Sequence, residues 1–294
     1  MSGKAGAVRA RRIEGADGVG LHMVETGPAD APAILLLHGW SQHHLAFSKQ
    51  LGGTLAREFR VAAIDLRGHG ASDKPADATA YGSEAWAGDV AAAVAALAPA
   101  RPVVVGWSMG GWVLADYLRH RGDGAIAGAV FSGATATRIG RFADPEMKAR
   151  RAAVDAAIAR MCSGDQGEAL SATVDFLKAL TAAPLSKRDL AFWTAFATFC
   201  PPHVRAACRA RDEDWRPDLA RVSVPGLVIQ GQAERICLAP LAEELAATLP
   251  DARLVTIPGA GHAPFWETPD RFDTELAAFA RSAHRTAAHE GACR

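Results

Sequence analysis

The fold is decided by residues 103–118, which read Val-Val-Val-Gly-Trp-Ser-Met-Gly-Gly-Trp-Val-Leu-Ala-Asp-Tyr-Leu. A β-branched run leads into a Gly-Trp-Ser-Met-Gly turn, and apolar residues at helical spacing follow the turn. The pattern G-x-S-x-G is typical of a sharp strand-to-helix turn that holds a serine hydroxyl clear of the backbone. Ser108 is therefore a candidate nucleophile. The alternative is a serine in an ordinary strand-to-helix turn, because so short a pattern also arises by chance.

Short apolar runs separated by helical patterns extend outward on both sides of this stretch. Most of the helical segments between these runs are about 10–15 residues long, which is typical of the connections in parallel sheets. The alternation predicts an α/β fold with a mostly parallel, eight-stranded sheet and helices on both of its faces. The predicted strands, of which the first two form an antiparallel hairpin, are residues 8–14, 21–26, 33–37, 60–65, 103–105, 126–132, 224–230 and 253–257.

This alternation stops between residues 137 and 217, where the pattern is helical throughout. We predict an all-helical cap over residues 137–217, inserted into a core made of residues 8–136 and 218–282. Residues 1–7 and 283–294 are expected to be loose tails, with His284 and His289 exposed to solvent.

Composition excludes several classes of protein. Hydrophobic residues make up 49% of the 294 residues and charged residues 22%, which is ordinary for a globular protein. Lys plus Arg equals Asp plus Glu, at 32 each, so no net charge favours binding to nucleic acid or to a membrane surface. The five cysteines form no C-x-x-C pair and are expected to be free thiols. Because neither a signal peptide nor a membrane-spanning run is visible, we expect a cytoplasmic protein.

A serine nucleophile requires a base, and the base requires an orienting carboxylate. In enzymes with this turn the chain order is Ser, then Asp or Glu, then His. His262 follows the last predicted strand within the loop Pro-Gly-Ala-Gly-His-Ala-Pro-Phe and is the candidate base. Glu234 is the only carboxylate in the loop after strand 224–230 and is the candidate acid. The alternative is that Glu234 is a surface residue and that another group orients the imidazole.

An oxyanion hole requires two backbone N–H groups directed at the charge that develops on the substrate. The N–H of Met109 lies just after the candidate nucleophile, at the start of a predicted helix. The N–H of Trp40, in the loop after strand 33–37, is the second candidate. Simple packing is the alternative role for Trp40.

The predicted cap carries an aromatic stripe and a group of arginines. Aromatic residues at helical spacing either pack within the cap or line an apolar pocket for an acyl or alcohol group. We take Trp107, Trp193 and Phe196 as candidate substrate-binding residues. The arginines are interpreted most simply as a solvated face, and alternatively as a grip for an anionic substrate or a carrier protein. The stripe is Phe192, Trp193, Phe196 and Phe199, and the arginines are Arg205, Arg209 and Arg211.

Metal and nucleotide chemistry find little support in the sequence. His43 and His44 lack the H-E-x-x-H spacing of a zinc site, and Gly68-His69-Gly70 does not match G-x-G-x-x-G. We therefore expect no metal site and no cofactor.

Taken in order, these motifs resemble the α/β-hydrolase superfamily over about residues 12–281. The likeness is greatest to small bacterial carboxylesterases, namely the pimeloyl-ester esterases and the branch of aryl esterases and cofactor-free perhydrolases. In one respect the chain departs from the family, which usually has Asp where this chain has Glu234. The motifs that carry the resemblance are His38-Gly39-Trp40, residues 65–72, Gly106-Trp107-Ser108-Met109-Gly110-Gly111 and Gly261-His262-Ala263-Pro264-Phe265.

The resemblance implies a serine hydrolase that cleaves a small apolar or aromatic carboxylic ester through an acyl-enzyme on Ser108. A lactonase, a thioesterase or a perhydrolase would use the same residues. A ligand-binding receptor or pseudoenzyme on the same fold is an alternative of a different class, and Glu234 is the feature that favours it.

Overall fold

A computed structural model describes residues 7–138 and 145–292. Its strands form one eight-stranded sheet in the order β1-β2-β4-β3-β5-β6-β7-β8. The pairs β1–β2 and β2–β4 are antiparallel, and every other pair of neighbouring strands in this sheet is parallel. The predicted α/β class and the mostly parallel sheet are therefore confirmed. The strands are β1 Arg9–Glu14, β2 Gly20–Thr26, β3 Ala33–Leu37, β4 Arg60–Ile64, β5 Val103–Trp107, β6 Gly128–Ser132, β7 Gly226–Gly231 and β8 Ala252–Ile257.

The central strands are apolar on both faces because helices cover the sheet from both sides. Every residue of β3, β5 and β6 is buried. In the sheet register Leu37 of β3 lies beside Gly106 of β5, and Trp107 of β5 lies beside Ser132 of β6. The loops that leave the carboxyl ends of these three strands therefore meet at one edge of the sheet, where ligands bind in open α/β sheets.

The helices of the described residues occupy the connections between strands, and the longest uninterrupted helical region separates β6 from β7. Short 3-10 turns at Ala16–Gly18, His44–Phe47 and Ala78–Tyr81 complete the connections. Gly52 and Gly53 divide the helical pattern after β3 into two short helices. The helices are α1 Ser48–Leu51, α2 Leu55–Glu58, α3 Ser83–Ala95, α4 Met109–Arg121, α5 Pro145–Met161, α6 Gln166–Ala179, α7 Lys187–Ala197, α8 Pro202–Arg209, α9 Arg216–Leu219, α10 Ala239–Thr248, α11 Pro264–Glu267 and α12 Pro269–Ala292.

The closing helix is longer than the sequence analysis predicts. Residues 283–292 are not a loose tail, because α12 continues through them to Ala292. Ala283 is buried beneath β6, and the Nε2 atom of His284 lies 3.2 Å from the carbonyl oxygen of Ala33. Apolar positions of this helix continue to face the sheet after residue 282, so the expected exposure of His284 is wrong. Residues 1–6 of the predicted amino-terminal tail lie outside the described residues.

The cysteines and the helices of the described residues bear on two further predictions from the sequence. Cys162, Cys200, Cys208 and Cys237 are free thiols there, and Cys293 lies outside the described part of the chain. No helix within residues 7–138 or 145–292 combines the length and the apolar character that crossing a bilayer requires.

Candidate active site

Ser108 occupies a strained turn between β5 and α4. Its backbone angles, φ 55° and ψ −120°, lie in a region that residues with a side chain rarely adopt. Two glycines make the turn possible by close approach. A Cβ at Gly106 would lie 2.4 Å from the carbonyl oxygen of Gly110, and a Cβ at Gly110 would lie 2.2 Å from that of Leu37. The partly exposed hydroxyl of Ser108 is consequently presented at the sheet edge, as the G-x-S-x-G pattern predicts.

His262 and Glu234 meet in the loops that follow β8 and β7. The imidazole Nδ1 lies 2.7 Å from Oε2 of Glu234, and both side chains are 1% exposed. The other carboxylate oxygen, Oε1, accepts a hydrogen bond of 2.6 Å from the Ile236 N–H. Because an ionised carboxylate can only accept, this contact favours the imidazole tautomer that has its proton on Nδ1 and its lone pair on Nε2. The pair can thus present a basic nitrogen held in one tautomer.

In the turn after β6, a glycine packs against the His262–Glu234 pair. Gly133 has φ 52°, and a Cβ there would lie 3.0 Å from Nδ1 of His262 and 3.3 Å from Oε2 of Glu234. The preceding residue, Ser132, accepts a hydrogen bond of 2.9 Å through its carbonyl from the N–H of Ser108. The loop after β6 therefore touches both the serine turn and the His–Glu pair.

Trp107 links the serine turn directly to the histidine loop. Its indole Nε1 donates a hydrogen bond of 2.7 Å to the carbonyl oxygen of His262, and the two ring centroids are 5.6 Å apart. Among the described residues the Ser108 hydroxyl makes no hydrogen bond to the imidazole. Catalytic hydrogen bonds are often long or misaligned in ligand-free sites and tighten when substrate binds.

Glu267 anchors the histidine loop, and the sequence analysis does not identify it. Its Oε1 accepts from the Gly261 N–H at 2.7 Å and its Oε2 from the Ala182 N–H at 2.6 Å. The N–H of His262 donates to the carbonyl oxygen of Leu180 at 2.8 Å. Burial, with a smaller contribution from the charge of Glu234, raises the pKa of Glu267. The segment after α6 is thereby tied to the loop that carries the imidazole, although no sequence pattern marks Glu267 for this role.

Two backbone amides beside Ser108 are available to a ligand. Neither the Met109 N–H nor the Trp40 N–H donates a hydrogen bond within the described chain. Met109 is the first residue of α4, where the helix dipole adds positive potential. Gly39 brings the Trp40 loop close, since a Cβ at Gly39 would lie 3.1 Å from Cβ of Ser108. This geometry can accommodate a negatively charged oxygen next to the serine.

A small cavity of about 50 Å³ lies over Ser108. Part of its wall is apolar, and three arginines contribute the charged part. Such a mixture of apolar wall and few polar groups is typical of small-molecule sites. The apolar wall includes Trp40, Met109, Trp112, Ile158, Phe176 and Ile236, and the arginines are Arg138, Arg151 and Arg209.

The structure does not place the predicted substrate-binding residues Trp107, Trp193 and Phe196 along this cavity. They belong to an aromatic cluster on the histidine side of the serine turn, with centroid separations of 5.9 Å between Trp107 and Trp193 and 5.4 Å between Trp193 and Phe196. Helical spacing indicates that α7 has an aromatic face but not what that face contacts. The two roles considered for the aromatic stripe were packing and lining a pocket. Trp193 and Phe196 are buried by packing, whereas Phe199 is 56% exposed.

The interpretation of the cap arginines as a solvated face is wrong for two of the three. Arg205 is 3% exposed and donates to Oγ of Ser41 and to the carbonyl oxygens of Met161 and Ala197. Burial lowers its pKa. Arg211 is 7% exposed and is paired with Asp116. Polar partners far away in the sequence make their burial possible, and only Arg209 opens into the cavity.

One cluster in the described residues has the composition of a metal site. Ligand atoms of His22, His44 and Asp65 all lie within 4.8 Å of one another. However, Oδ1 of Asp65 already accepts from the N–H and from Nδ1 of His44, and Oδ2 accepts from the Ala71 N–H. We therefore interpret the cluster as a hydrogen-bonded support for the loop after β4.

A doubly covered parallel sheet with a serine turn after its central strand and a histidine after its last strand defines the α/β-hydrolase class. A family model described as the alpha/beta hydrolase family matches residues 34–275, and the chain belongs to this family.

Individual relatives agree with the predicted branch. A solved structure described as a putative aryl esterase from Burkholderia cenocepacia is 30% identical, with a TM-score of 0.85 over 94% of this chain and 99% of that one. The esterase RhEst1 from Rhodococcus sp. ECU1013 is 33% identical, with a TM-score of 0.84 and coverage of 93% and 99%. A pimeloyl-[acyl-carrier protein] methyl ester esterase of Vibrio atlanticus is 26% identical over 85% of this chain and 95% of its own length. The predicted resemblance to small bacterial esterases is confirmed.

Proposed function

We propose that this protein hydrolyses small carboxylic esters through an acyl-enzyme on Ser108. The observation that carries the proposal is the buried bond of 2.7 Å between Nδ1 of His262 and Glu234, in loops adjoining the strained turn of Ser108. A carboxylate that holds the imidazole in one tautomer prepares it as a general base.

In the first half of the reaction, Nε2 of His262 removes the hydroxyl proton while Oγ of Ser108 attacks the ester carbonyl. The N–H groups of Met109 and Trp40 stabilise the charge that develops on the carbonyl oxygen. The imidazolium then donates its proton to the departing alcohol, and an acyl-serine is left. Glu234 stabilises the imidazolium and remains ionised throughout.

In the second half, water replaces the alcohol and follows the same route. His262 removes a proton from the water while the water oxygen attacks the acyl carbonyl. When the tetrahedral intermediate collapses, the bond to Oγ breaks, the imidazolium returns its proton to Ser108, and the carboxylic acid leaves. The named relatives and structural neighbours that are esterases support this reaction class.

The test is turnover of 4-nitrophenyl esters from acetate to octanoate. We expect wild-type protein to hydrolyse them and Ser108→Ala to lose at least about 10³-fold in kcat. A fluorophosphonate probe should label residue 108 alone. Ser282→Ala, at an exposed position of α12, is the matched control and should retain full activity.

Equal turnover by wild type and Ser108→Ala would contradict the proposal, as would labelling at another residue. A wild-type protein that binds esters without hydrolysing them would instead favour the alternative of a ligand-binding receptor.

A further inference from the structure

Three arginine side chains from separate segments converge on the cavity above Ser108. Arg138 lies in the segment after β6, Arg151 lies on α5 and Arg209 ends α8. A site that had to accommodate only an apolar ester would not require them, because a guanidinium stays charged at every relevant pH. Their convergence indicates a second recognition element beside the reacting serine.

The three arginines differ in what neutralises them. Arg151 is 3% exposed, pairs with Asp155 at 2.9 Å and donates to the carbonyl oxygen of Ile236 at 2.9 Å. For Arg138 and Arg209, no carboxylate oxygen within residues 7–138 and 145–292 comes within 4 Å of the guanidinium nitrogens. Asp155 attracts Arg209 from a greater distance, but Arg151 already engages it. The cavity thus contains two cations that lack a close anion in the described part of the chain.

The direction of the pKa shift of Arg209 agrees with the lack of a close anion among the described residues. Burial lowers the pKa of Arg209, and the positive charge of Arg138 lowers it further. Holding two like charges in a partly desolvated cavity costs free energy, and a bound anion recovers it. Guanidinium groups present a planar fork that matches the two oxygens of a carboxylate. Because these two guanidinium groups lack a close anion in the described part of the chain, we expect the ligand to carry an anionic group.

We propose that Arg138 and Arg209 bind a free carboxylate of the substrate while its ester group lies at Ser108. The substrate class is then esters that carry a carboxylate, of which monoesters of short dicarboxylic acids are the simplest. Hydrolysis consumes one water and yields the diacid and the alcohol, so the reaction needs no further reactant. This inference rests on the proposed esterase function.

The test compares mono-4-nitrophenyl glutarate with 4-nitrophenyl pentanoate, which share a five-carbon acyl chain and differ in the terminal carboxylate. We expect kcat/KM of wild type to be at least about 10-fold higher for the glutarate. Arg209→Gln and Arg138→Gln should each lower kcat/KM for the glutarate by about 10- to 100-fold, mainly through KM, because hydrogen bonds to charged groups are lost. Turnover of the pentanoate should change by less than about 3-fold.

Two further variants keep the comparison interpretable. Arg188→Gln removes an exposed arginine of α7 and should leave both substrates unaffected. Arg209→Lys retains the charge and should restore part of the preference. Equal kcat/KM for the two esters in wild type, or equal losses for both esters in the glutamine variants, would overturn the inference.

A binding measurement separates this inference from the esterase proposal. Calorimetric titration of the Ser108→Ala variant with glutarate should detect binding, and Arg209→Gln in the same background should weaken it by at least about 10-fold. Glutarate binding in a protein that hydrolyses no ester would overturn the esterase proposal alone. Hydrolysis of the pentanoate without any glutarate binding would overturn the carboxylate site alone.

Discussion

Glu234 stands where the family usually has aspartate, and local backbone geometry accommodates its extra methylene. Its Oε1 accepts a hydrogen bond from the N–H of Ile236, two residues later. This bond folds the side chain against the loop that carries it. Its Oε2 is left to face Nδ1 of His262 at 2.7 Å. The longer side chain thereby reaches the same kind of contact that an aspartate makes in the Ser-His-Asp triad.

Glu234→Gln tests whether this carboxylate orients the base. The amide has a similar shape but lacks the charge that stabilises the imidazolium, so we expect kcat to fall by about 10²- to 10⁴-fold with 4-nitrophenyl butyrate. Glu243→Gln, at an exposed position of α10, is the matched control and should retain full activity. A Glu234→Gln variant with the full rate would show that another group orients His262.

Asp273 provides a pH-dependent contribution to stability away from the site. This carboxyl of α12 is 6% exposed and accepts a hydrogen bond of 3.0 Å from Nε2 of Gln50. Burial raises its pKa to about 6 from an ordinary value of 3.8. The folded state therefore binds the proton more tightly than the unfolded state, and stability from this group decreases as pH rises from about 4 to 6.

Asp273→Asn should remove this penalty, since the neutral amide can still accept from Gln50. We expect the free energy of unfolding to rise by about 1–3 kcal/mol at pH 8 and to change little at pH 4. Urea unfolding at the two pH values measures the difference. A gain that is the same at both values would exclude the titration of Asp273 as its cause.

At the scale of elements, the serine turn depends on how closely α4 approaches β3 and β5. A Cβ at Gly110 would lie 2.2 Å from the carbonyl oxygen of Leu37 and 2.7 Å from that of His38. Both atoms belong to backbone, which cannot move aside without displacing the strand end or the helix. The same approach brings the Met109 amide next to the Trp40 loop, so stability and the geometry of the candidate oxyanion hole depend on one contact.

Gly110→Ala should therefore destabilise the protein by about 2–4 kcal/mol in urea unfolding, because the backbone clash must be relieved. Gly124→Ala is the matched control, since a Cβ at Gly124 would have no atom within 4 Å. It should change stability by less than about 0.5 kcal/mol. Similar losses for the two variants would rule out the close approach of α4 as the cause.

At the scale of the whole molecule, a buried cluster joins the end of the helical region after β6 to α4. Asp116 of α4 is fully buried and accepts from Nη2 of Arg211 at 2.7 and 2.8 Å. It also accepts from Nε1 of Trp215 at 2.8 Å and from Oγ of Ser83 at 2.7 Å. These partners come from two other parts of the sequence, so the Asp116 carboxylate joins both of them to α4.

Asp116→Ala should cost about 3–5 kcal/mol of stability, because it leaves a buried guanidinium without its main partner. The control is Glu58→Ala, which breaks the pair with Arg281, where both side chains are 47% exposed. This exposed pair should contribute less than about 1 kcal/mol. Chemical denaturation measures both variants, and a loss below 1 kcal/mol for Asp116→Ala would contradict the role of the cluster.

Much of the fold could be predicted because its signals are local. Buried parallel strands are short apolar runs, and the connecting helices have apolar residues at a different period, so the alternation is visible residue by residue. The candidate site follows from the same logic. Ser108, Glu234 and His262 each come just after a strand of one parallel sheet, and the carboxyl ends of such strands share an edge.

The sequence by itself thus determined the sheet, the serine turn and the loops that carry the candidate triad, because each depends on neighbours within a few residues. Only the tertiary structure decided which faces and charges are buried. Arg211 can be buried because it pairs with Asp116, which lies 95 residues earlier in the chain. Glu267 anchors the histidine loop to Ala182, which is 85 residues away in the sequence. Periodicity identifies an apolar face or a charged side chain but not its partner, since that partner is set by distant segments meeting in space.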